Sequence, residues 1–491
     1  MKTISILSSL TALVLSWSSL SAASTAVQNS LVRVNSTIQT WSASQPWDKS
    51  APSSRGALGI LLENNHVLTT AEMAANTTYI ELESADSTRT LPAKVVAIDY
   101  ECNLALLAPN NGDPEGFFAG LKPLPLGGAA QIGDKVDVWQ LEDNGMPLVT
   151  QATIQSVDIV SSFVRGHYFL TYEAKGSMQS ATSSFTLPVI KDDKLLGLLS
   201  SYDSKDQIID IITPEIIAAF LADAADGTYD GFPSLGIGIN STVDPSFRLW
   251  LKLPEDVGGL YVTRVRKGSS AEKAGILKGD VLLSVEGNEI GRRGYYDDEN
   301  YGRLFWSHLV RGRHKVGDSL KVSVLRDGEK KEFTTVLTRP DKRLIPAHTL
   351  DQAPNYLVKG GLIFQELSAS YLRAFGKDWE STAPLNLLDA LASPEDYEKG
   401  RNKIVFLSAT IPTPATTGYE SIRNFIIAKV NGQDIADIPS LIKAFQTPGT
   451  DGLHTIEFAD GTPKTIYLDA RISDAIDAEL LKRGIPALSR Q

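Results

Sequence analysis

The chain has 491 residues, enough for two to four domains. Its 42% hydrophobic and 21% charged residues are typical of a folded protein and exclude a disordered chain. The formal net charge of −11 argues against a general nucleic-acid-binding protein, which would carry a basic field. The single cysteine, Cys102, excludes an internal disulfide, and its place beside an apolar strand predicts a buried small residue.

Residues 1–23 are typical of a cleaved secretory signal. Lys2 gives the positive start, Ile4 to Leu20 is mostly apolar, and small residues follow at Ser21 to Ala23. A retained membrane anchor is the alternative, but the apolar run is short and rich in serine for a span. We therefore expect an exported protein, periplasmic or extracellular, with no transmembrane span after cleavage.

Short strands recur from Leu31, where apolar and polar residues alternate, to about Ile212. Gly, Pro, Asn and Asp separate them, a pattern that predicts a barrel or sandwich. Thr213-Pro-Glu then opens a helix, because it supplies a cap residue, a proline at the first position and an acid in the first turn. Residues 223–233 have the composition of a linker.

A second module follows this linker, beginning at Ser234-Leu-Gly-Ile-Gly-Ile. Ser269 and Glu272 predict a capping box, and Gly275 the end of a short helix. The segment 292–299 predicts a surface insertion with three solvated acids. Adjacent acids do not converge on an ion without further ligands, so we expect no metal or cofactor. Those acids are Asp297, Asp298 and Glu299.

A last module begins at Lys359-Gly-Gly-Leu-Ile-Phe and ends near Leu481-Lys-Arg-Gly-Ile-Pro, after a proline-containing linker over 340–355. Val285-Glu-Gly-Asn-Glu-Ile and Val430-Asn-Gly-Gln-Asp-Ile stand at corresponding places in the two modules. This weak internal repeat is consistent with two copies of one fold.

The stretch Val67-Leu-Thr-Thr-Ala-Glu-Met-Ala resembles the Ile-Leu-Thr-x-Ala-His-Val-Val motif of the HtrA/Deg family. Together with the two later modules, the resemblance to plant- and bacterial-type Deg proteases covers nearly the whole mature chain. It implies a mainly β fold, a trypsin-like double β-barrel followed by two PDZ-type α+β domains. The expected boundaries are 31–225 for the barrels, 232–340 for the first PDZ domain and 356–488 for a divergent second one.

The resemblance also places the catalytic triad, and each position departs from the family pattern. Glu72 stands where the family has its histidine base, and a free carboxylate, with a pKa of about 4.3, is a poor base at neutral pH. Asn103 replaces the orienting aspartate in Glu101-Cys-Asn-Leu. Counting back from Leu195 places Ser184 at the nucleophile, whereas counting forward from Tyr172 gives Ala181. The glycines that flank the family's serine are absent.

An inactive barrel is therefore the favoured interpretation. A Ser–Glu pair acting at acid pH, with Glu72 as the base for Ser184, is the alternative. Of the six histidines only His66 and His167 lie in this domain. The first lies in a polar turn, where a solvated role fits better than catalysis, and the second precedes a strand.

Peptide binding needs no catalytic residue. The resemblance assigns the contacts with a C-terminal carboxylate to Leu235, Gly236 and Ile237, and it predicts that the strand from Gly238 pairs with the peptide. A domain that packs on its own barrel and binds nothing is the alternative. Gly360-Gly-Leu-Ile-Phe is analogous in position to the carboxylate-binding loop. Because this module is divergent, we expect the segment to make an internal or oligomer contact instead.

We therefore expect an exported pseudoprotease that binds peptides or protein C-termini as a scaffold, holdase or regulator in envelope protein quality control. An active serine endopeptidase with a non-standard site is one alternative. A structural subunit that assembles with an active paralogue is another. The family commonly forms trimers through its barrels, and Trp41 and Trp47 are candidates for that contact or for core packing.

Overall fold

The computed structural model of the protein describes residues 26–178, 186–339, 343–459 and 461–491. The predicted signal at residues 1–23 lies outside them. The chain divides into two compact units: an N-terminal unit, Met1–Thr37 with Ser54–Pro340, and a C-terminal unit, Ile38–Ser53 with Asp341–Gln491. Within the described ranges, no helix is both long enough and apolar enough to span a bilayer.

Two closed six-stranded barrels open the N-terminal unit, as predicted. The strands of barrel one are β1 (Leu31–Ile38), β2 (Ser53–Leu61), β3 (Val67–Thr69), β4 (Thr77–Ser84), β5 (Thr90–Asp99) and β6 (Leu104–Pro109). Their order is β1-β2-β3-β6-β5-β4. Alternate residues of β1 are buried, because one face of the strand points into the barrel. Short helices α1 (Ala71–Ala74) and α2 (Pro114–Phe118) and a 3₁₀ turn (Glu63–Asn65) connect the strands.

Barrel two has the order β10-β11-β12-β9-β8-β7. Its strands are β7 (Lys135–Leu141), β8 (Pro147–Ser161), β9 (Tyr168–Lys175), β10 (Pro188–Lys191), β11 (Lys194–Asp203) and β12 (Ile208–Ile212). The predicted helix α3 (Pro214–Ala224) follows, with Thr213 at its N-cap and Pro214 at its start. The Thr213 hydroxyl, however, caps no backbone N–H.

Residues 232–339 form a third part of this unit, which we call the middle domain. Its strands are β13 (Ile237–Ser241), β14 (Leu260–Val265), β15 (Val281–Val285), β16 (Asn288–Glu289), β17 (Tyr295–Asp298), β18 (Gly302–Phe305), β19 (Ser319–Arg326) and β20 (Glu329–Val336). The main sheet has the order β13-β14-β15-β19-β20, β16 pairs with β15, and β17 and β18 form a separate hairpin. The helices are α4 (Pro245–Trp250), α5 (Ser270–Ala274) and α6 (His308–Arg311).

Helix α5 shows how the local sequence sets these boundaries. The Ser269 side chain accepts a hydrogen bond from the Glu272 N–H at 3.2 Å, and Gly275 ends the helix with a φ of 84°. The capping box is only half formed, because the Glu272 carboxylate accepts from the Gly268 N–H instead of from Ser269.

The β17–β18 hairpin corrects one prediction. Asp297 and Glu299 are exposed, but Asp298 is buried. Its carboxylate accepts hydrogen bonds from the Tyr296 hydroxyl at 2.7 Å and the Arg313 guanidinium at 2.6 Å. The expected solvated position is wrong at Asp298 because these two partners supply the polar contacts that burial removes.

The C-terminal unit is built on one sheet of order β27-β26-β24-β23-β22-β21-β28, with β25 paired to β24. We call residues 343–491 the last domain. Its strands are β21 (Tyr356–Lys359), β22 (Leu362–Glu366), β23 (Val405–Thr410), β24 (Phe425–Val430), β25 (Gln433–Asp434), β26 (Leu453–Phe458), β27 (Thr465–Asp469) and β28 (Ser489–Arg490). Its helices are α7 (Ala369–Arg373), α8 (Trp379–Thr382), α9 (Leu385–Ala392), α10 (Ile438–Ala444) and α11 (Ala470–Lys482), with a 3₁₀ turn at Pro394–Asp396.

The loop between β1 and β2 departs from the prediction of one continuous domain over 31–225. Residues 38–53 group with the C-terminal unit. The Arg490 guanidinium lies over the Trp41 ring at 4.3 Å, and the ring centroids of Trp47 and Tyr356 are 6.0 Å apart. Both tryptophans therefore pack within this unit. For these two residues, core packing was the expected alternative to a trimer contact.

Candidate functional site

The turn after β3 places Glu72 at the end of barrel one. Ala71, Met73 and Ala74 of α1 are buried, so Glu72 is the residue of this helix that points outward. Its side chain is 29% exposed and lies 3.6 Å from the Arg55 guanidinium, which is 45% exposed. An ion pair this open to solvent contributes at most about 1 kcal/mol. The carboxylate thus has a cationic partner and keeps access to solvent.

Asn103 is brought to the same point by the neighbouring strand, because it directly precedes β6, which pairs with β3. Its side-chain oxygen accepts a hydrogen bond from the Glu72 backbone N–H at 3.0 Å. Its φ of 61° is in the left-handed region, which asparagine tolerates better than most residues. Asn103 therefore holds the backbone of the turn and does not orient the Glu72 carboxylate.

The nucleophile position cannot be placed beside them, because Ser184 and its alternative Ala181 lie outside the described residues. The next described residue, Thr186, is buried, and its hydroxyl oxygen is 2.5 Å from that of Thr70, just before Glu72. The structure thus brings together two of the three triad positions assigned from the sequence, and the assignment of Ser184 stays a prediction.

A small pocket of about 160 Å³ lies beside these residues, between the two barrels. Glu72 and Asn103 line it from barrel one, and Phe163 and Asp210 from barrel two. Burial raises the pKa of Asp210, while a hydrogen bond from Ser201 opposes that shift. No described residue that lines this pocket is a histidine. The pocket therefore offers carboxylates and hydroxyls but no imidazole to serve as a base near neutral pH.

His167, the buried histidine of barrel two, serves a different group. Its Nδ1 is 2.9 Å from the Glu101 carboxylate, so the ring donates this hydrogen bond. Arg311 of the middle domain reaches the same carboxylate at 2.8 Å, and Arg339 lies 3.4 Å from both Glu101 and Asp99. This charge network joins both barrels to the middle domain. Reasoning from the sequence missed it, since no local pattern links positions so far apart.

The predicted carboxylate loop lies at the start of the middle domain. Leu235 is buried, and its carbonyl accepts from the Ala271 N–H at 3.0 Å. Gly236 has a φ of 77°, its carbonyl accepts from Arg266, and its N–H donates to the Ser234 hydroxyl at 3.2 Å. The Leu235 N–H donates to no atom among the described residues. The loop is anchored through its carbonyls and leaves an N–H available.

Ile237 and Gly238 open β13, which lies at an edge of the sheet. In the described part of the chain, β13 pairs only with β14. Its other edge is open to an added strand, the geometry that peptide recognition by strand addition requires. The four residues assigned from the sequence are therefore contiguous at one end of an unpaired edge.

The corresponding region of the last domain is filled by the chain itself. Gly360 and Gly361, both with positive φ, are the turn of the β21–β22 hairpin. The Gly360 N–H donates to the Asp477 carboxylate of α11 at 2.6 Å, and the Lys359 ammonium is 2.8 Å from the same side chain. Strand β21 in turn pairs with β28. An internal carboxylate and internal strands thus occupy the turn and the strand edge.

Replacing Asp477 with alanine should lower the free energy of unfolding of the C-terminal unit by about 2 kcal/mol, because the buried Gly360 N–H loses its acceptor and the Lys359 ammonium loses one of its two carboxylate partners. Hydrogen exchange at the Gly360 amide measures this locally and should accelerate. Asp474→Ala is the matched control, since this neighbour of Lys359 is 70% exposed. Equal effects of the two substitutions would contradict the assignment of Asp477 to the turn.

Two segments match known domain families. Residues 233–337 and residues 345–487 each match a family model described as a PDZ domain. These matches fall on the middle domain and on the last domain. They confirm the two PDZ-type domains expected from the sequence.

Curated relatives from Arabidopsis thaliana extend the similarity to the barrels. Protease Do-like 4, mitochondrial, is 26% identical over 401 residues, which cover 81% of this chain and 73% of the relative. Protease Do-like 2, chloroplastic, is 27% identical over 387 residues, which cover 78% of this chain and 62% of the relative. Each match is longer than the two PDZ segments together.

Among solved structures, the HtrA-type protease AlgW with decapeptide has a TM-score of 0.50 and 18% identity. The match covers 65% of this chain and 99% of that one. At this identity the likeness shows the fold alone. Two PDZ matches, relatives named as Do-like proteases and a shared fold together support the similarity of this chain to the HtrA/Deg family.

Proposed function

We propose that the protein binds peptides or protein C-termini through its middle domain and does not hydrolyse them. It would then be an HtrA/Deg pseudoprotease, acting as a scaffold, holdase or regulator in envelope protein quality control. The observation that carries this proposal is Glu72 in the place of the base, its backbone held by Asn103 and its carboxylate beside Arg55. A serine nucleophile needs a base that can take its proton near neutral pH, and the pocket's described residues supply no imidazole.

The carboxylate loop supports the binding half of the proposal. No described residue accepts a hydrogen bond from the Leu235 N–H, and Gly236 gives the loop its left-handed turn. Three basic residues, Arg264, Arg266 and Lys267, lie at the same end of the sheet, where β14 ends. A positive field and a free N–H suit a terminal carboxylate. The neighbour AlgW was solved with a decapeptide, which agrees with this use of the fold.

Export and assembly belong to the same proposal. Lys2, the apolar run and Ser21 to Ala23 support a cleaved signal, whereas the two relatives are named as mitochondrial and chloroplastic proteins. We expect the mature chain to begin at Ser24, and N-terminal sequencing of protein from its native source tests this. A start at Met1 would contradict export through a cleaved signal. A homotrimer or a complex with an active paralogue are the proposed assemblies.

A library of fluorescent C-terminal peptides tests the proposed function. The full mature chain should bind a subset of free C-termini, and amidation of the same peptides should abolish binding, because the loop would lose the charge it recognises. Binding that ignores amidation would contradict recognition of C-termini. Absence of any binding would favour a structural subunit.

A further inference from the structure

An exposed aromatic cluster lies on the middle domain. The rings of Phe247 and Trp250 on α4 stack at 5.9 Å with an interplanar angle of 11°, and Phe247 meets Tyr261 of β14 edge-on at 5.1 Å. Trp250 is 68% exposed and the neighbouring Leu249 is 81% exposed. We call Phe247, Trp250 and Tyr261 the aromatic ledge. Large apolar groups this open to water favour a partner that covers them.

The register of the sheet fixes where the ledge lies relative to the open edge. Tyr261 pairs directly with Asn240 of β13, and direct cross-strand partners point to the same face of a sheet. The ledge is therefore on the face of Gly238 and Asn240. The opposite face carries Ile237 and Ile239, which pack against the core. A strand added at the open edge would present alternate side chains on the same face as the ledge, with β13 between that strand and Tyr261.

The basic residues near the carboxylate loop indicate at which end of β13 the C-terminus of an added strand would lie. Arg264 pairs with Gly238, and the Arg266 N–H donates to the Gly236 carbonyl, so the basic residues lie at the carboxylate loop. The ledge lies toward the other end of β13. A peptide antiparallel to β13, with its last residue opposite Ile237, places the third residue before the last opposite Asn240. That residue shares the face of the ledge.

We propose that the ligands of the middle domain carry an aromatic side chain at the third residue before the C-terminus, and that this side chain packs on the aromatic ledge. The inference rests on the proposed function, because it assumes that a C-terminus occupies the loop. It adds a second determinant of ligand specificity to the C-terminal carboxylate, namely an aromatic side chain at a fixed distance from that carboxylate. Aromatic groups pair favourably with ring faces, beyond the area they bury.

Two fluorescent peptides test this proposal. They share one C-terminal sequence from the library and differ only in Trp or Ser at the third residue before the last. Fluorescence anisotropy with the full mature chain should show that the Trp peptide binds about three- to tenfold more tightly. Trp250→Ser should reduce this preference to nearly one. Leu385→Ser, at an apolar residue of the last domain that is 81% exposed, is the control and should leave the preference unchanged.

The outcomes separate the two proposals. Equal binding of both peptides by the unmodified chain would overturn the ledge proposal and leave C-terminal recognition intact. A preference that survives Trp250→Ser would also overturn it. Loss of self-association in Trp250→Ser, measured by sedimentation, would assign the ledge to a contact between copies and overturn it as well. Binding of neither peptide would count against the proposed function itself.

Discussion

Replacing Glu101 with alanine is expected to lower the free energy of unfolding of the N-terminal unit by about 3 kcal/mol. The Glu101 carboxylate is 2.8 Å from the Arg311 guanidinium and 2.9 Å from His167 Nδ1, and their side chains are 15% exposed or less. Without the carboxylate, the guanidinium stays buried with no adjacent counter-ion, and the imidazole loses its acceptor. Truncation of one member of a buried ion pair has this size of effect because the other charge is left uncompensated.

The same substitution should change the dependence of stability on pH. Burial raises the pKa of Glu101, but the hydrogen bond from His167 and the charges of Arg311 and Arg339 lower it more, so it lies well below its usual value. A carboxyl with a lowered folded-state pKa stabilises the fold fully above its unfolded pKa of about 4.3, and this contribution is lost as the pH falls below that value. Urea unfolding at pH 7 and pH 3 measures this loss. The exposed Glu63→Ala is the control, and an identical loss in Glu101→Ala and the unmodified chain would contradict the network.

Gly236→Ala is expected to weaken binding of C-terminal peptides by more than about tenfold, since the loop must move. Gly236 has a φ of 77°, and an added Cβ would lie 2.3 Å from the Ser269 Cβ. The new methyl group cannot be accommodated unless the loop or the start of α5 shifts. Such a shift displaces the N–H groups that are proposed to meet the ligand carboxylate.

Gly268→Ala provides a matched control for backbone strain. Gly268 has a φ of 76°, nearly that of Gly236, but an added Cβ there meets nothing within 4 Å. Both substitutions should reduce stability by about 1 kcal/mol through the left-handed φ, and Gly236→Ala should reduce it further through the clash with the Ser269 Cβ. Only Gly236→Ala should reduce binding measured by fluorescence anisotropy. Equal effects of both on binding would place the ligand elsewhere.

The parts of the fold that could be predicted are those that local sequence determines. Alternation along Leu31–Ile38 predicted a half-buried strand, and Ser269 with Gly275 predicted both ends of α5. The resemblance of Val67-Leu-Thr-Thr-Ala-Glu-Met-Ala placed Glu72 on the turn that the structure shows. These features could be predicted from the sequence because side-chain periodicity and helix capping involve residues that are only a few positions apart.

The parts that could not be predicted depend on contacts between distant residues. Glu101 meets His167 and Arg311 only after both barrels and the middle domain have folded. The burial of Asp298 depends in the same way on Arg313, and the β1–β2 loop depends on Arg490 at the other end of the chain. The burial of a charged side chain cannot be predicted from the sequence when its partner is distant in the chain.

The candidate site likewise has a part that the sequence could predict and a part that it could not. The pairing of Glu72 with Asn103 follows from two motif positions that the resemblance had marked, and the structure joins them through the Glu72 N–H. The aromatic ledge had no such signal, since Trp250 and Tyr261 are ordinary residues of a helix and a strand until the fold brings their rings together.

Hydrolysis by the purified mature protein, followed together with fluorophosphonate labelling from acid to neutral pH, distinguishes a pseudoprotease from an active endopeptidase. Unfolded casein is the substrate, and an active HtrA protease is the positive control. We expect no cleavage and no labelled serine at any pH, with peptide binding retained in the same sample. Labelling at Ser184 with turnover that Glu72→Ala abolishes would contradict this expectation and establish an endopeptidase with a Ser–Glu site.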